Sequence, residues 1–114
     1  MNDALLKIDL PGLKHVRSGK VREIFDLGDS FLFVASDRIS AFDVIMPNGI
    51  PRKGEVLTQI SHFWFDRTAS LVPNHRLARQ NDPLPSQLKA HEQQLKGRCM
   101  IVKKTQPLTV ECIV

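Results

Sequence analysis

Apolar and polar positions change period several times along this chain, and each change marks an element. The opening stretch, "LLKIDLPGLKHV", is broken by Pro11 and Gly12 and predicts a short arm. His15, Val16 and Arg17 then lead into a turn at Ser18–Gly19. Val21, Ile24 and Phe25 supply apolar positions after it. "LGDS", Leu27 to Ser30, is a tight turn signal. "FLFVA", Phe31 to Ala35, is a short apolar run of the buried-strand type. The first ~36 residues therefore read as an antiparallel meander.

The stretch "DRISAFDVIMPNGIPRKGE" holds Pro47, Gly49, Pro51 and Gly54, so it reads as a long connection and not as one regular element. Its apolar Ile39, Phe42, Val44, Ile45 and Met46 argue for an ordered, functional loop over a disordered one. "GEVLTQISHFWFDRTASLV" is the clearest helix. Val56, Ile60, Phe63, Trp64 and Arg67 share one face, Leu57 widens the stripe, and Pro73–Asn74 end it. On this reading Trp64 belongs to the core and His62 to the helix surface or its boundary. A second, shorter helix is predicted over about Pro85 to Leu95, closed by Gly97. "RCMIVKK" and "LTVECIV" read as two strands joined by a bend at "TQP". The order β-β-β-α-α-β-β predicts an α+β domain, an antiparallel sheet with helices on one face. The last strand reaches Val114 without a stop signal, so the expectation is one truncated domain over residues 1–114.

Composition narrows the partners. The chain has 114 residues, 42% hydrophobic and 25% charged, as in a globular domain. Its net charge of +4 favours anionic ligands. The basic residues are spread along the chain, which favours small anions over nucleic acid. Cys99 and Cys112 form no CxxC pair, and both fall in apolar runs, so both are expected to be buried reduced thiols. The N-terminus lacks a signal-peptide core, and no apolar run reaches the ~20 residues of a membrane span. A cytoplasmic protein without a membrane partner is expected.

Three segments could carry chemistry. In "SGKVRE", Ser18–Gly19 at a strand–strand turn lets the backbone approach a phosphate. Lys20 offers a compact positive charge there and Arg22 a forked one. A solvated hairpin is the competing reading, because the second glycine and the Ser/Thr of a P-loop are missing. In "SDRISAFDV", Asp37 and Asp43 could hold a metal or an amine, or serve as turn and capping residues. In "KKTQPLTVE", Lys103 and Lys104 alternate faces, so only one can point to a given site. The backbone of Gln106 to Leu108 could meet a purine edge, and a buried Glu111 would need a partner. An ordinary edge strand with exposed lysines is the alternative. His15, His62, His75 and His91 form no ligand set.

Taken together, "SGKVREIFDLGD", "VASDRISAFDV", "IPRKGEVLTQIS-FWF", and "GRCMIVKK" followed by "VECIV" resemble the SAICAR synthetase family in order and spacing. The resemblance implies a two-lobed, kinase-like ATP-binding fold of which this chain is the N-terminal lobe. It implies a purine-pathway ligase that uses ATP with Mg2+ to join L-aspartate to carboxyaminoimidazole ribonucleotide through an acyl phosphate. It implies Gly19, Lys20 and Arg22 by the ATP phosphates, and Lys103, Lys104, Gln106, Leu108 and Glu111 near the nucleotide. Arg38, Ser40 and Asp43 would lie on the substrate side.

Thr109 stands where the family often has proline. The family's next arginine, its "GS" segment and its acidic segment lie beyond Val114. No metal ligand or catalytic residue is therefore assigned, and this chain alone is expected to be inactive. The competing classes are a small β-rich nucleic-acid-binding module and a non-catalytic interaction domain. The first would show aromatic residues interleaved with basic ones on a sheet face. Phe25, Phe31 and Phe33 lack that interleaving. Oligomeric state is not legible.

Overall fold

The computed structural model describes residues 3–114. Strands β1 (Lys14–Ser18), β2 (Arg22–Asp26) and β3 (Ser30–Ala35) form the expected meander. Strands β4 (Arg38–Ala41) and β5 (Val44–Gly49) form a separate hairpin, and helix α1 (Lys53–Arg67) follows. A 3-10 turn at Ser86–His91 runs into the short helix α2 (Glu92–Leu95), after which β6 (Cys99–Lys103) returns to the sheet. The four-stranded sheet has the order β1-β2-β3-β6, and every neighbouring pair is antiparallel.

Asp26 and Gly28 make the β2–β3 turn. Gly28 sits at φ +107°, and its N–H donates to the Asp26 carboxylate at 2.7 Å. The outer edge of β6 is not left open. Lys103 N–H donates to the His75 carbonyl at 2.7 Å, Leu77 N–H donates to the Ile101 carbonyl at 2.9 Å, and Arg76 bridges to Val102.

The α+β class is as expected, but the helices are divided between the two faces of the sheet. "FLFVA" is apolar on both sides, and alternation along a strand sends Leu32 and Val34 one way and Phe33 and Ala35 the other. Leu32 and Val34 join Phe25, Ile8, Leu10, Leu88 and Leu95 in the buried cluster, so the N-terminal arm and the 3-10/α2 segment cover that face. Phe33, Ala35 and Met100 face α1.

Helix α1 exists where its period predicts it, yet it presents the other face. Its buried positions are Gly54, Thr58 and His62, one turn apart. Val56, Phe63 and Trp64 are more than half exposed, with Leu57 and Ile60 only a little less so. Trp64 is thus not a core residue, and His62, at 3% exposure, is. Small residues let the helix backbone come close to the sheet. A Cβ on Gly54 would run into the carbonyl oxygens of Ala35 and Ser36 and the Arg98 guanidinium. Periodicity shows that a helix has an apolar face but not which face meets the sheet.

The long connection holds two strands. The hairpin turns at Phe42 and Asp43, both at positive φ (50° and 63°), the geometry of a tight hairpin turn that usually takes Asn or Gly. No glycine marks that turn, so the sequence conceals it. Pro47 is tolerated because β5 lies at the edge of a two-stranded sheet. The second predicted helix is present in split form, and Gly97 follows it at φ +76°.

The expected strand over "LTVECIV" is absent. Residues 104–114 hold no strand, and Glu111 and Cys112 are exposed rather than buried. Both edges of β6 are already occupied, by β3 and by residues 75–77, and Pro107 offers no donor. Cys99 keeps its place in β6, where burial pushes its thiol up to about 11.

Asp37 ties these pieces together. Its carboxylate accepts N–H bonds from Leu5 (2.8 Å), Gly54 (2.9 Å) and Arg52 (3.3 Å), and it pairs with Arg98 at 2.8 Å. Of the two readings open to Asp37, capping is the one observed.

Candidate functional site

The α1 side of the sheet carries an open cleft of about 450 Å³. Its floor is Phe33, Ala35 and Met100, its helical wall is Leu57, Thr58, Ser61 and Phe65, and Lys53, Arg22 and His75 stand at its margins. An apolar floor with a few polar or cationic groups at the rim is the common form of a small-molecule site. The Arg22 guanidinium lies over the Phe33 ring, 5.4 Å from its centroid. Lys53 donates to the Arg38 carbonyl at 3.1 Å. The His75 ring meets the edges of Phe33 and Phe65 at 5.9 and 5.8 Å. Burial, and then the charge of Arg22, hold His75 below the ordinary histidine range.

The β1–β2 turn sits at the head of this cleft, where Val21 and Arg22 enter its wall. Gly19 N–H closes the turn on the Arg22 carbonyl at 2.7 Å. Below the turn lies a buried carboxylate. Glu23 accepts from Ser18 Oγ at 2.5 Å and from Arg38 Nη2 at 2.6 Å, and meets His15 Nε2 at 2.9 Å. Burial alone would raise its pKa. The bonds from Ser18, Arg38 and His15 outweigh that and hold it below the ordinary glutamate range. Lys20, half exposed, forms an ion pair with Asp43 at the tip of the β4–β5 hairpin.

The expected site residues separate into groups. Gly19, Lys20 and Arg22 lie together at the turn. Arg38 and Asp43 reach the same turn from the hairpin, and Ser40 lies on β4 between them, paired with Ile45 across the hairpin. Of all the expected site residues only Arg22 lines the cleft itself. The other group, Lys103, Lys104, Gln106, Leu108 and Glu111, belongs to the end of β6 and the tail after it. Lys104 folds over Phe31 and binds Asp26 at 2.9 Å and the Gly28 carbonyl at 2.7 Å. Gln106, Leu108 and Glu111 are exposed in the strand-free tail. Sequence reasoning missed Phe33, Lys53 and His75. Lys53 carried no local signal, because it stands just ahead of the stretch read as the clearest helix, although α1 begins with it. His75 carried none, because its place depends on residues 75–77 pairing with β6. Among the described residues, no three His, Cys, Asp or Glu side chains group so that they could hold a metal ion.

The architecture is thus an α+β fold whose antiparallel sheet offers one face to a cleft rimmed by cations. Residues 15–114 match the sequence profile of SAICAR synthetase, and the chain belongs to that family. It is 54% identical over 110 residues to the phosphoribosylaminoimidazole-succinocarboxamide synthase of Syntrophotalea carbinolica, covering 96% of this chain and 37% of that one. It is 51% identical over 114 residues to the protein of the same name from Thermodesulfovibrio yellowstonii, covering all of this chain and 39% of that one. A solved structure described as SAICAR synthase from Saccharomyces cerevisiae complexed with SAICAR shares the fold. Its TM-score is 0.79 at 41% identity, over 89% of this chain and 37% of that one. The chain therefore spans less than two fifths of the length of these relatives. Among the described residues no helix is long and apolar enough to cross a membrane.

Proposed function

We propose that this chain is the nucleotide-binding part of an ATP-dependent carboxylate–amine ligase of purine biosynthesis. The γ-phosphoryl group of ATP passes to the carboxylate of carboxyaminoimidazole ribonucleotide, giving an acyl phosphate and ADP. The amine of L-aspartate then attacks the acyl carbon and expels phosphate, and the amide formed is SAICAR. The observation that carries this reading is the cation-rimmed cleft beneath the β1–β2 turn, in a chain of this family.

In this reading Gly19 lets the turn come close to the phosphates, the charges of Lys20, Arg22 and Lys53 meet them, and Phe33 and Met100 form an apolar surface under the nucleotide. Electrostatic groups fixed in place before reaction stabilise charge that develops on phosphoryl transfer without reorganising. Ser40 and Asp43 on the hairpin are assigned to the ribotide side. Lys103, Lys104, Gln106, Leu108 and Glu111 are assigned to the nucleotide's outer side, which requires the tail after β6 to fold inward on binding. Magnesium would enter with the phosphates. The described residues supply no cluster to hold it, so no ligand for it is assigned here.

Calorimetric titration of the chain with MgATP tests the nucleotide part. The expected result is binding weaker than micromolar that weakens further with salt, since exposed cations are screened. No heat and no protection at millimolar ATP would refute it.

A further inference from the structure

We infer that Arg38 is a positioning residue that holds the β1–β2 turn in shape, and that it does not touch the ribotide. The inference rests on the nucleotide reading of the cleft. A guanidinium has five N–H donors in one plane. Arg38 commits four of them within the chain: Nε to the Lys20 carbonyl at 2.9 Å, Nη1 to the Leu6 carbonyl at 2.8 Å, and Nη2 to the Gly19 carbonyl at 3.2 Å and to Glu23 at 2.6 Å. Little donor capacity is left for a ligand.

Two of those acceptors belong to the turn itself. In a trans peptide the N–H points opposite to the C=O of the same plane. The Gly19 carbonyl shares its plane with the Lys20 N–H, and the Lys20 carbonyl shares its plane with the Val21 N–H. Holding both carbonyls on one rigid fork therefore turns both N–H groups to the side away from the cation. Neither N–H donates to an acceptor within the described chain. Successive free backbone N–H groups form an anion-binding concavity. Arg38 shapes that concavity from behind.

Glu23 anchors the device. One carboxylate oxygen takes Arg38, and the other takes Ser18 and His15 of β1. The strap thus spans β1, β2 and the first residue of β4. Lysine cannot replace it, because a single ammonium cannot hold separate acceptors in one plane.

The test pairs amide hydrogen exchange in the free chain with MgATP affinity, for Arg38→Lys, Glu23→Gln and the double variant. Arg38→Lys should speed exchange of the Gly19 N–H about tenfold and weaken MgATP about tenfold, the scale of one misplaced charge-assisted contact. Because both residues act through one turn, the double variant should bind no more weakly than Arg38→Lys alone. Unchanged exchange with lowered affinity, or additive losses, would mean that Arg38 meets the ligand itself and would overturn the inference. If Arg38→Lys does not fold, as a thermal melt would reveal, Glu23→Gln carries the same exchange test. A wild-type chain that ignores ATP would sink the nucleotide reading and the functional half of this inference, whichever way exchange came out.

Discussion

Arg98 and Asp37 lie 61 residues apart in sequence and meet in a buried, two-pronged pair, Nη1 to Oδ1 at 2.8 Å and Nη2 to Oδ2 at 3.4 Å. The pair joins the end of β3 to the start of β6 and sits under the first turn of α1. Removing one partner of a buried pair leaves the other charge unmatched, at a cost of about 3–5 kcal/mol. Arg98→Met should therefore lower the unfolding free energy by that amount, read from urea midpoints at constant slope. A loss below about 1 kcal/mol would mean that the pair is not the tie it looks.

Acid should unfold the chain through two carboxylates. Burial alone would raise the pKa of Asp37, but Arg98 and the N–H groups of Leu5 and Gly54 outweigh it, and Glu23 is lowered by its own partners. A folded-state pKa below the unfolded one adds stability above the unfolded value. That stability is lost as pH falls through the folded value. Stability should hold above about pH 5 and drop below about pH 4, where unfolded carboxylates titrate. Glu23→Gln should flatten part of that slope, as denaturant midpoints across the range will show.

Gly54 has no room for a methyl group, since backbone oxygens of Ala35 and Ser36 occupy the space. Overpacking against rigid atoms costs about 1–3 kcal/mol. Gly54→Ala should accordingly lower the thermal midpoint by several degrees. An unchanged melt would show that α1 can lift away from the sheet at little cost.

The two thiols should differ in reactivity. Cys112 is exposed, whereas burial raises the Cys99 thiol to about 11 and leaves little thiolate at neutral pH. A disulfide reagent should titrate one thiol per native chain quickly and the second only in denaturant. Two fast thiols would mean that β6 opens readily.

Lys20 should matter to the ligand and hardly at all to the fold. Its pair with Asp43 lies on the surface, where such pairs contribute little. Lys20→Ala should shift stability within about 0.5 kcal/mol and weaken MgATP binding about tenfold. Lys14→Ala, on the exposed face of β1, is the control and should change neither. Equal losses for the two would remove the turn from the phosphate site.

The meander was legible because its turns carry glycine and its strands are short and apolar, and the helix was legible from its period. What the sequence could not convey was partnership. Val56, Ile60 and Trp64 form a genuine stripe, yet the sheet took the side where Gly54 and Thr58 permit close approach. The β4–β5 hairpin was hidden because Phe42 and Asp43 hold left-handed backbone without glycine. Of the candidate site, the cluster at Gly19, Lys20 and Arg22 could be read locally. Lys53, Phe33 and His75 could not, because the cleft they share exists only once α1, β3 and residues 75–77 are assembled. Arg38 was placed on the substrate side by the family resemblance, and only the fold shows that its donors face inward.

The pairing of β3 with β6 also sets the tempo of assembly. Its partners lie roughly seventy residues apart, so the chain must close a long loop before this contact rewards it. During synthesis, β3 emerges well before the segment that completes its second edge. At about 5–20 residues per second, several seconds separate the two. For that interval the nascent chain offers an apolar strand with one open edge to whatever is near, so the same β3 that lies inside the finished sheet is adhesive while it is being made.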